Sequence, residues 1–265
     1  MSEVSPSNMS RNSYNLHSGG NDNYTERVRE HHRQIRGVLQ PGGRMYEWKL
    51  QLALQLVTPQ DVVLDAGCGN GLFTIPLSAH AREVYGVDFT AELLDDLKAH
   101  LPTCPPANLQ LIQGDLRCLP FPDAFFDSLV CYSTLYYIRE LDRVLSEFCR
   151  VLKRGGRAIF DLGNIHSLEA RHSLRSYRVP HHFVTVRAAK QLIQRAGLHL
   201  VRLRRLQVFR PLRGHPIERW LMRLLEAPVG KTMLDEYVSA LPLLRHFAFR
   251  LVFVCENGQR IAVAD

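Results

Sequence analysis

The hydrophobic and polar positions follow three patterns along the chain. Residues 1–23 are rich in Ser and Asn and show no apolar periodicity, which predicts a disordered tail. Two helical patterns follow at residues 25–38 and 46–57, and a Pro-Gly-Gly loop at residues 41–43 separates them. From Asp61 onward, short apolar runs alternate with helical stretches.

This alternation predicts the fold class. Strands are predicted at residues 62–64, 83–87, 109–112, 128–132, 157–161, 198–206 and 247–255, and helices at 72–80, 91–101, 140–152 and 187–196. Strands that alternate with helices form a parallel sheet that is covered on both faces. We therefore expect an α/β protein with a buried, doubly wound sheet.

Composition narrows the class of protein. The 265 residues are 46% hydrophobic and 22% charged, as in an ordinary soluble globule built on one enlarged α/β domain. No apolar run approaches the roughly 18 residues of a membrane-spanning helix. The six cysteines include no CxxC pair and no zinc spacing, so we expect reduced thiols, several of them buried, in a cytoplasmic protein without a metal site.

Charge divides the chain into unlike halves. Residues 1–138 carry 10 Lys and Arg against 15 Asp and Glu, whereas residues 139–265 carry 23 against 11. The net charge of +7 therefore hides an acidic half and a strongly basic half. We expect the two halves to meet different partners.

A glycine-rich turn follows the first predicted strand. Asp65 precedes Gly67, Gly69 and Gly71, and glycines at such a turn let the backbone approach a ligand closely. A dinucleotide-binding GxGxxG fingerprint starting at Gly67 would need glycine at position 72, where Leu72 stands. The spacing thus disfavours a dinucleotide.

Two further carboxylates end the next two strands. Asp88 ends the second strand, where a carboxylate can accept the hydroxyls of a ribose, and Asp115 ends the third. Asp88 could also be the N-cap of the following helix, a role that does not exclude ribose binding. Three carboxylates at the carboxyl edge of the sheet would repel a pyrophosphate. They suit a ligand with hydroxyls, an amino group and a positive charge, such as S-adenosylmethionine.

Four stretches in order resemble the class I S-adenosylmethionine-dependent methyltransferases, particularly the type 11 group that includes quinone-biosynthesis methyltransferases. The stretches are Leu64-Asp65-Ala66-Gly67-Cys68-Gly69-Asn70-Gly71, Gly86-Val87-Asp88, Leu119-Pro120-Phe121-Pro122-Asp123 with Phe126-Asp127, and Arg150-Val151-Leu152-Lys153-Arg154-Gly155-Gly156. The resemblance covers residues 61–161. Its one mild departure is Arg154, where the family usually has proline.

The resemblance implies a fold and a cofactor site. The fold is a Rossmann-like, doubly wound seven-stranded sheet whose last strand is antiparallel. Asp65 is expected near the methionine amino group, Asp88 at the ribose, and Asp115 with Leu116 at the adenine. The expected cofactor-binding residues also include the three glycines of the turn and Tyr132, which ends the fourth strand.

Candidate catalytic residues come from the loops after strands 4 and 5, at residues 133–137 and 163–185. The second loop contains His166, His172, His181 and His182, and histidine is the side chain best suited to remove a proton near neutral pH. We single out His181 and Tyr137 as catalytic candidates. Solvated histidines, and tyrosines that only pack against the cofactor or substrate, are the alternatives. The Asn/Asp-Pro-Pro-aromatic motif of amino-methylating nucleic-acid enzymes does not follow strand 4, which disfavours methylation of bases.

A basic segment lies between the last two strands. Residues 171–223 carry thirteen Lys and Arg against the single acid Glu218, and residues 217–225 show apolar positions at helical spacing around Trp220. Three interpretations of this basic segment remain: a lid helix with solvated arginines, attachment to an anionic membrane surface, and RNA binding. RNA ranks last because few aromatic side chains could stack on bases.

These observations combine into one expectation. The expected division is a tail at 1–23, N-terminal helices at 24–58, a methyltransferase core at 59–206 and 247–265, and a helical cap at 207–246. We expect a methyltransferase for a small-molecule or lipid-linked acceptor, with oxygen favoured over carbon. An RNA methyltransferase and a non-catalytic relative that binds S-adenosylmethionine are the alternatives.

Overall fold

The computed structural model describes residues 44–101, 105–167, 170, 181–208, 221, 224–229 and 232–258. The large sheet contains β1 (Val62–Ala66), β2 (Glu83–Asp88), β3 (Leu109–Gln113), β4 (Phe126–Cys131), β5 (Leu152–Gly163), β6 (Leu198–Leu206) and β9 (Arg250–Asn257). The short strands β7 (Pro228–Val229) and β8 (Thr232–Met233) pair separately. The helices are α1 (Arg44–Leu54), α2 (Thr74–Ser78), α3 (Ala91–His100), α4 (Leu141–Val151), α5 (Val186–Arg195) and α6 (Leu234–Ala240), with 3-10 turns at Leu135–Tyr137 and Leu244–His246.

The strands of the large sheet are ordered β3-β2-β1-β4-β5-β9-β6. The first five strands along the chain pair in parallel, and β9 runs antiparallel to both β5 and β6. Every residue of β1 is buried, because helices cover both faces of the parallel region. The expected doubly wound, seven-stranded sheet with an antiparallel last strand is confirmed.

Two apolar clusters fill the two faces of the sheet. One joins the sheet to α4 and α5, with Phe148 and Phe160 fully buried. The other places α1 against the opposite face, where Trp48 and Leu52 pack among the side chains of β1 and α2. Burial of an aromatic or leucine side chain contributes roughly 1.5–3 kcal/mol each, so α1 is part of the core rather than an appendage.

Most element bounds agree with the sequence pattern to within a few residues. The final strand begins at Arg250 rather than at residue 247, because a 3-10 turn at Leu244–His246 precedes it. The expected cap contains α6 and the β7–β8 hairpin. The helical pattern at 25–38 and the cap residues 217–220, with Trp220, lie outside the described residues. The division into tail, core and cap stays a prediction.

The cysteines fit the expected reduced state. Of the five described, four are buried and Cys118 is exposed, and none of the five is in a disulfide. Among the described residues, no helix combines the length and the apolar character that crossing a bilayer requires.

Candidate cofactor site

The glycine turn after β1 has a backbone that only glycine adopts readily. Gly67, Gly69 and Gly71 have φ of 77°, 52° and 80°. A Cβ at Gly67 would overlap Thr134 Oγ1, whereas a Cβ at Gly69 would meet nothing within 4 Å. Gly67 therefore allows close packing against the loop after β4, and Gly69 leaves open space on its side of the turn.

Asp65 is the penultimate residue of β1 and a buried carboxylate, with 2% of the residue exposed. Thr74 Oγ1 donates a hydrogen bond of 2.6 Å to Asp65 Oδ2. Burial, with a smaller contribution from the nearby Asp88 carboxylate, raises the pKa of Asp65 to about 7, although the Thr74 hydrogen bond opposes the rise. A cationic group placed beside Asp65 would relieve this cost.

Asp88 is turned toward the glycine turn. Its Oδ2 accepts a 2.9 Å hydrogen bond from the backbone N–H of Gly69, and its Oδ1 accepts one of 2.8 Å from Thr90. The N-cap of α3 is Thr90, so the interpretation that Asp88 caps this helix is wrong. A carboxylate accepts about four hydrogen bonds, so Asp88 retains capacity for the hydroxyls of a ligand.

Asp115 lies after β3 and is held by Arg117. Arg117 Nη2 lies 2.7 Å from Asp115 Oδ2, and Arg117 Nε donates to both carboxylate oxygens at 3.0 Å. Burial alone would raise the pKa of Asp115, but these bonds from Arg117 lower it. Leu116 beside it is buried. Contact between Asp115 and a ligand amino group would require Arg117 to release part of the carboxylate.

Tyr132 follows β4 as a buried ring. Its hydroxyl donates to the backbone carbonyl of Lys49 at 3.2 Å, and its ring centroid lies 4.9 Å from that of Phe73. Phe73 comes two residues after Gly71, so Tyr132 stands next to the glycine turn. Burial raises the pKa of Tyr132 well above its ordinary value, and the hydroxyl therefore stays protonated.

A buried ion cluster, which was not predicted from the sequence, lies beside these residues. Lys49 of α1 and Arg250 of β9 both contact Asp161 Oδ2 of β5, at 2.8 and 2.7 Å. Lys49 is 1% exposed and Asp161 is fully buried. Burial alone would raise the pKa of Asp161, but the two cations outweigh it and hold the pKa at about 2. The sequence signal that could have indicated this cluster is the position of Asp161 near the carboxyl end of a predicted strand, which Asp65 and Asp88 share.

The two catalytic candidates lie together. The Tyr137 and His181 rings are 5.0 Å apart, edge to face, and both residues are partly exposed. His181 also contacts Phe183, which packs on Phe249 at 5.6 Å. The resulting aromatic cluster consists of Tyr136, Tyr137, His181, Phe183 and Phe249.

The other histidines of the loop after β5 differ in their surroundings. His182 is partly buried, and its backbone N–H donates to the Tyr136 carbonyl at 2.7 Å. Burial and the charge of Arg139 lower the pKa of His182. His166 is exposed, and His172 lies outside the described residues.

Comparisons with known proteins agree with this geometry. The family described as "Methyltransferase domain" matches residues 64–160, from β1 to β5. A malonyl-[acyl-carrier protein] O-methyltransferase from Methylococcus capsulatus is 32% identical over 177 residues, which are 64% of this chain and 62% of that protein. A demethylmenaquinone methyltransferase from Symbiobacterium thermophilum is 33% identical over 122 residues, which are 44% of this chain and 49% of that protein. The chain spans about half the length of the curated relatives it matches.

A solved structure extends the likeness to most of the chain. The Haloferax volcanii protein that was solved in complex with the Trm112 methyltransferase activator superposes with a TM-score of 0.63 at 18% identity. The match covers 89% of this chain and 98% of that one, and at this identity it shows the fold. The family match, the relatives and the shared fold agree with the glycine turn and its carboxylates: residues 64–160 are similar to the methyltransferase domain, as the resemblance to class I S-adenosylmethionine-dependent methyltransferases implies.

Proposed function

We propose that the chain transfers the methyl group of S-adenosylmethionine to an oxygen atom of a small-molecule or lipid-linked acceptor. The observation that carries the proposal is the pairing of His181 with Tyr137. A hydroxyl nucleophile needs a base to take its proton, and histidine is the side-chain type best suited to that role. One relative is named as an O-methyltransferase, which supports oxygen as the acceptor atom.

The residues around the glycine turn fit the cofactor. The open space beside Gly69 allows a ligand to approach the backbone, and Asp88 retains capacity for ribose hydroxyls. Asp65 gains most from a cationic neighbour, which the methionine amino group provides. Gly67 and Gly71 shape the turn.

The remaining cofactor assignments concern residues that follow β3 and β4. Asp115 and Leu116 are assigned to the adenine, and Tyr132 to the wall of the site beside Phe73. S-adenosylmethionine supplies a methyl group on a positively charged sulfur, and any aligned nucleophile can attack the carbon of this methyl group. The protein's remaining tasks are to align the acceptor, exclude water and remove a proton.

The test is an acceptor screen with isotope-labelled S-adenosylmethionine. Once an acceptor is found, His181→Ala is expected to lower kcat by about 100-fold or more, the usual contribution of a general base. His166→Ala is the matched control, because His166 is an exposed histidine on the same loop. Equal activity of both variants and wild type would remove His181 from the mechanism, and a product methylated at carbon or nitrogen would contradict the assignment to oxygen.

An exposed apolar patch supports an amphiphilic acceptor presented at an anionic membrane surface. The patch consists of Tyr237, Leu241, Leu243 and Phe247, which are 55%, 51%, 82% and 43% exposed. It belongs to the segment between β6 and β9, and Arg245 lies within it. Apolar side chains interspersed with arginine are typical of peripheral attachment to anionic lipid.

Vesicle sedimentation tests this attachment. Wild-type protein is expected to sediment with vesicles that contain anionic lipid and to do so less at high salt. Leu243→Asn is expected to reduce the bound fraction, whereas Val201→Asn, which alters an exposed apolar side chain on β6, leaves it unchanged. Wild-type protein that stays in the supernatant at low salt would contradict the attachment.

A further inference from the structure

Helix α1 is connected to the glycine turn by hydrogen bonds that pass through Asp161 and the consecutive residues Ser133 and Thr134. Lys49 Nζ on α1 donates to Asp161 Oδ2 on β5 at 2.8 Å. Asp161 Oδ1 accepts a 2.6 Å hydrogen bond from the backbone N–H of Ser133 in the loop after β4. Three segments that are far apart in sequence thus converge on one carboxylate.

Ser133 is held in an unfavourable backbone conformation. Its φ is 59°, in the left-handed region that costs a non-glycine residue free energy. Its hydroxyl oxygen accepts from Lys49 Nζ at 3.1 Å and from Arg250 Nη1 at 3.2 Å, in addition to the bond from its N–H to Asp161. The charged groups Lys49, Asp161 and Arg250 therefore fix this residue from three elements.

The next residue, Thr134, contacts the glycine turn directly. Thr134 Oγ1 lies 3.2 Å from the carbonyl oxygen of Gly67, within hydrogen-bond distance. The Thr134 side chain also occupies the space beside Gly67, so that a Cβ at Gly67 would overlap it. The position of Thr134 therefore decides where the backbone of Gly67 can lie.

We propose that Lys49, Asp161 and Thr134 are positioning residues for the cofactor: they hold the loop after β4 in its left-handed conformation and thereby hold the glycine turn in the shape that binds S-adenosylmethionine. The inference rests on the assignment of the cofactor to the glycine turn. It makes α1 a functional part of the site, because the cation that completes the cluster comes from that helix. None of the three residues needs to touch the reacting atoms.

The most conservative variants change only the Thr134 side chain, whose Oγ1 lies 3.2 Å from the carbonyl oxygens of both Gly67 and Tyr132. Thr134→Val keeps the shape of the side chain but removes its hydroxyl, and it is expected to weaken the binding of S-adenosylhomocysteine about threefold to tenfold in calorimetric titration. Thr134→Ser keeps the hydroxyl and is expected to bind within about twofold of wild type. Equal affinity of the two variants would overturn the proposal. The comparison of the two Thr134 variants tests the proposal even if substitutions in the buried ion cluster prevent folding.

A rescue experiment separates positioning from simple stabilisation. Lys49→Met removes the buried cation but keeps an apolar stem, and it is expected to weaken binding about tenfold. Glycine adopts the left-handed conformation without cost, so Ser133→Gly in the Lys49→Met background is expected to restore most of the lost affinity. A loss of affinity in Lys49→Met without rescue by Ser133→Gly would mean that Lys49 only stabilises the fold.

Lys153→Met is the matched control. Lys153 also pairs with an aspartate, Asp127, at 2.7 Å, but this ion pair joins the starts of β4 and β5, away from the glycine turn. The affinity of the Lys153→Met variant for S-adenosylhomocysteine is expected to match that of wild type. A tenfold loss of affinity in this variant would overturn the proposal. If Asp88→Ala binds as tightly as wild type, the assignment of the cofactor site fails instead, whatever the Thr134 variants do.

Discussion

The buried carboxylate of Asp65 makes the stability of the cofactor-free protein depend on pH in a predictable way. Its pKa is raised from 3.8 to about 7, mainly by burial. Because the folded state holds this proton more tightly than the unfolded state, Asp65 favours folding at low pH, and this contribution is lost as the pH rises through 7. The full difference is about 4 kcal/mol, from about three pH units at 1.36 kcal/mol each.

Asp65→Asn removes this dependence with little change of shape. The amide oxygen still accepts the hydrogen bond from Thr74 Oγ1 that Asp65 Oδ2 receives in wild type. Between pH 5.5 and pH 9 the wild-type protein loses about 2 kcal/mol that the variant keeps, since about 1.5 pH units of the titration fall in this range. The variant is therefore expected to gain about 2 kcal/mol on wild type across this interval.

The assay is urea unfolding of both cofactor-free proteins at several pH values from 5.5 to 9. The free-energy difference between variant and wild type is compared at each pH, because groups that titrate equally in both proteins then cancel. S-adenosylhomocysteine, with its cationic amino group, is expected to bind the variant more weakly. A stability difference that stays constant across the range would refute the burial argument for Asp65.

Two further predictions concern the cofactor and the N-terminal helix. Asp88→Ala is expected to lower the affinity for S-adenosylhomocysteine about tenfold or more in calorimetry, since a charged hydrogen bond contributes roughly 1.5–3 kcal/mol. Asp127→Ala is its control, because Asp127 also accepts a backbone N–H, that of Val62, but at the start of β1. A protein that begins at residue 24 is expected to keep cofactor affinity in the same titration. One that begins at Asp61 lacks α1 and is expected to lose affinity or to fail to fold; equal behaviour of the two truncations would contradict the role of α1.

The sequence predicted the sheet and part of the site for an identifiable physical reason. Strand periodicity and the carboxyl-edge rule are local signals, and they placed Asp65 and Asp88 at one edge of the sheet on neighbouring strands. The same rule applied to Asp161, which closes an apolar run as Asp65 does, would have identified a further carboxylate at this edge, besides Asp115.

The side chains that bind these carboxylates could not be predicted from local sequence patterns. Lys49 and Arg250 reach Asp161 from 112 and 89 residues away, and Lys49 resembles any other charged position of an amphipathic helix. Only tertiary packing shows that α1 turns this side chain into the core. The ion pair between Arg117 and Asp115 joins residues that are close in sequence. Its formation nevertheless depends on the direction of the Arg117 side chain, which sequence spacing alone does not determine.

A calorimetric titration of the wild-type protein with S-adenosylhomocysteine and, separately, with NAD tests the assignment of the cofactor to the glycine turn. The glycine turn lacks a glycine at position 72, and the carboxylates of Asp65 and Asp88 lie beside it, so saturable binding of one S-adenosylhomocysteine per chain and no binding of NAD are expected. Binding of NAD without binding of S-adenosylhomocysteine would contradict this assignment.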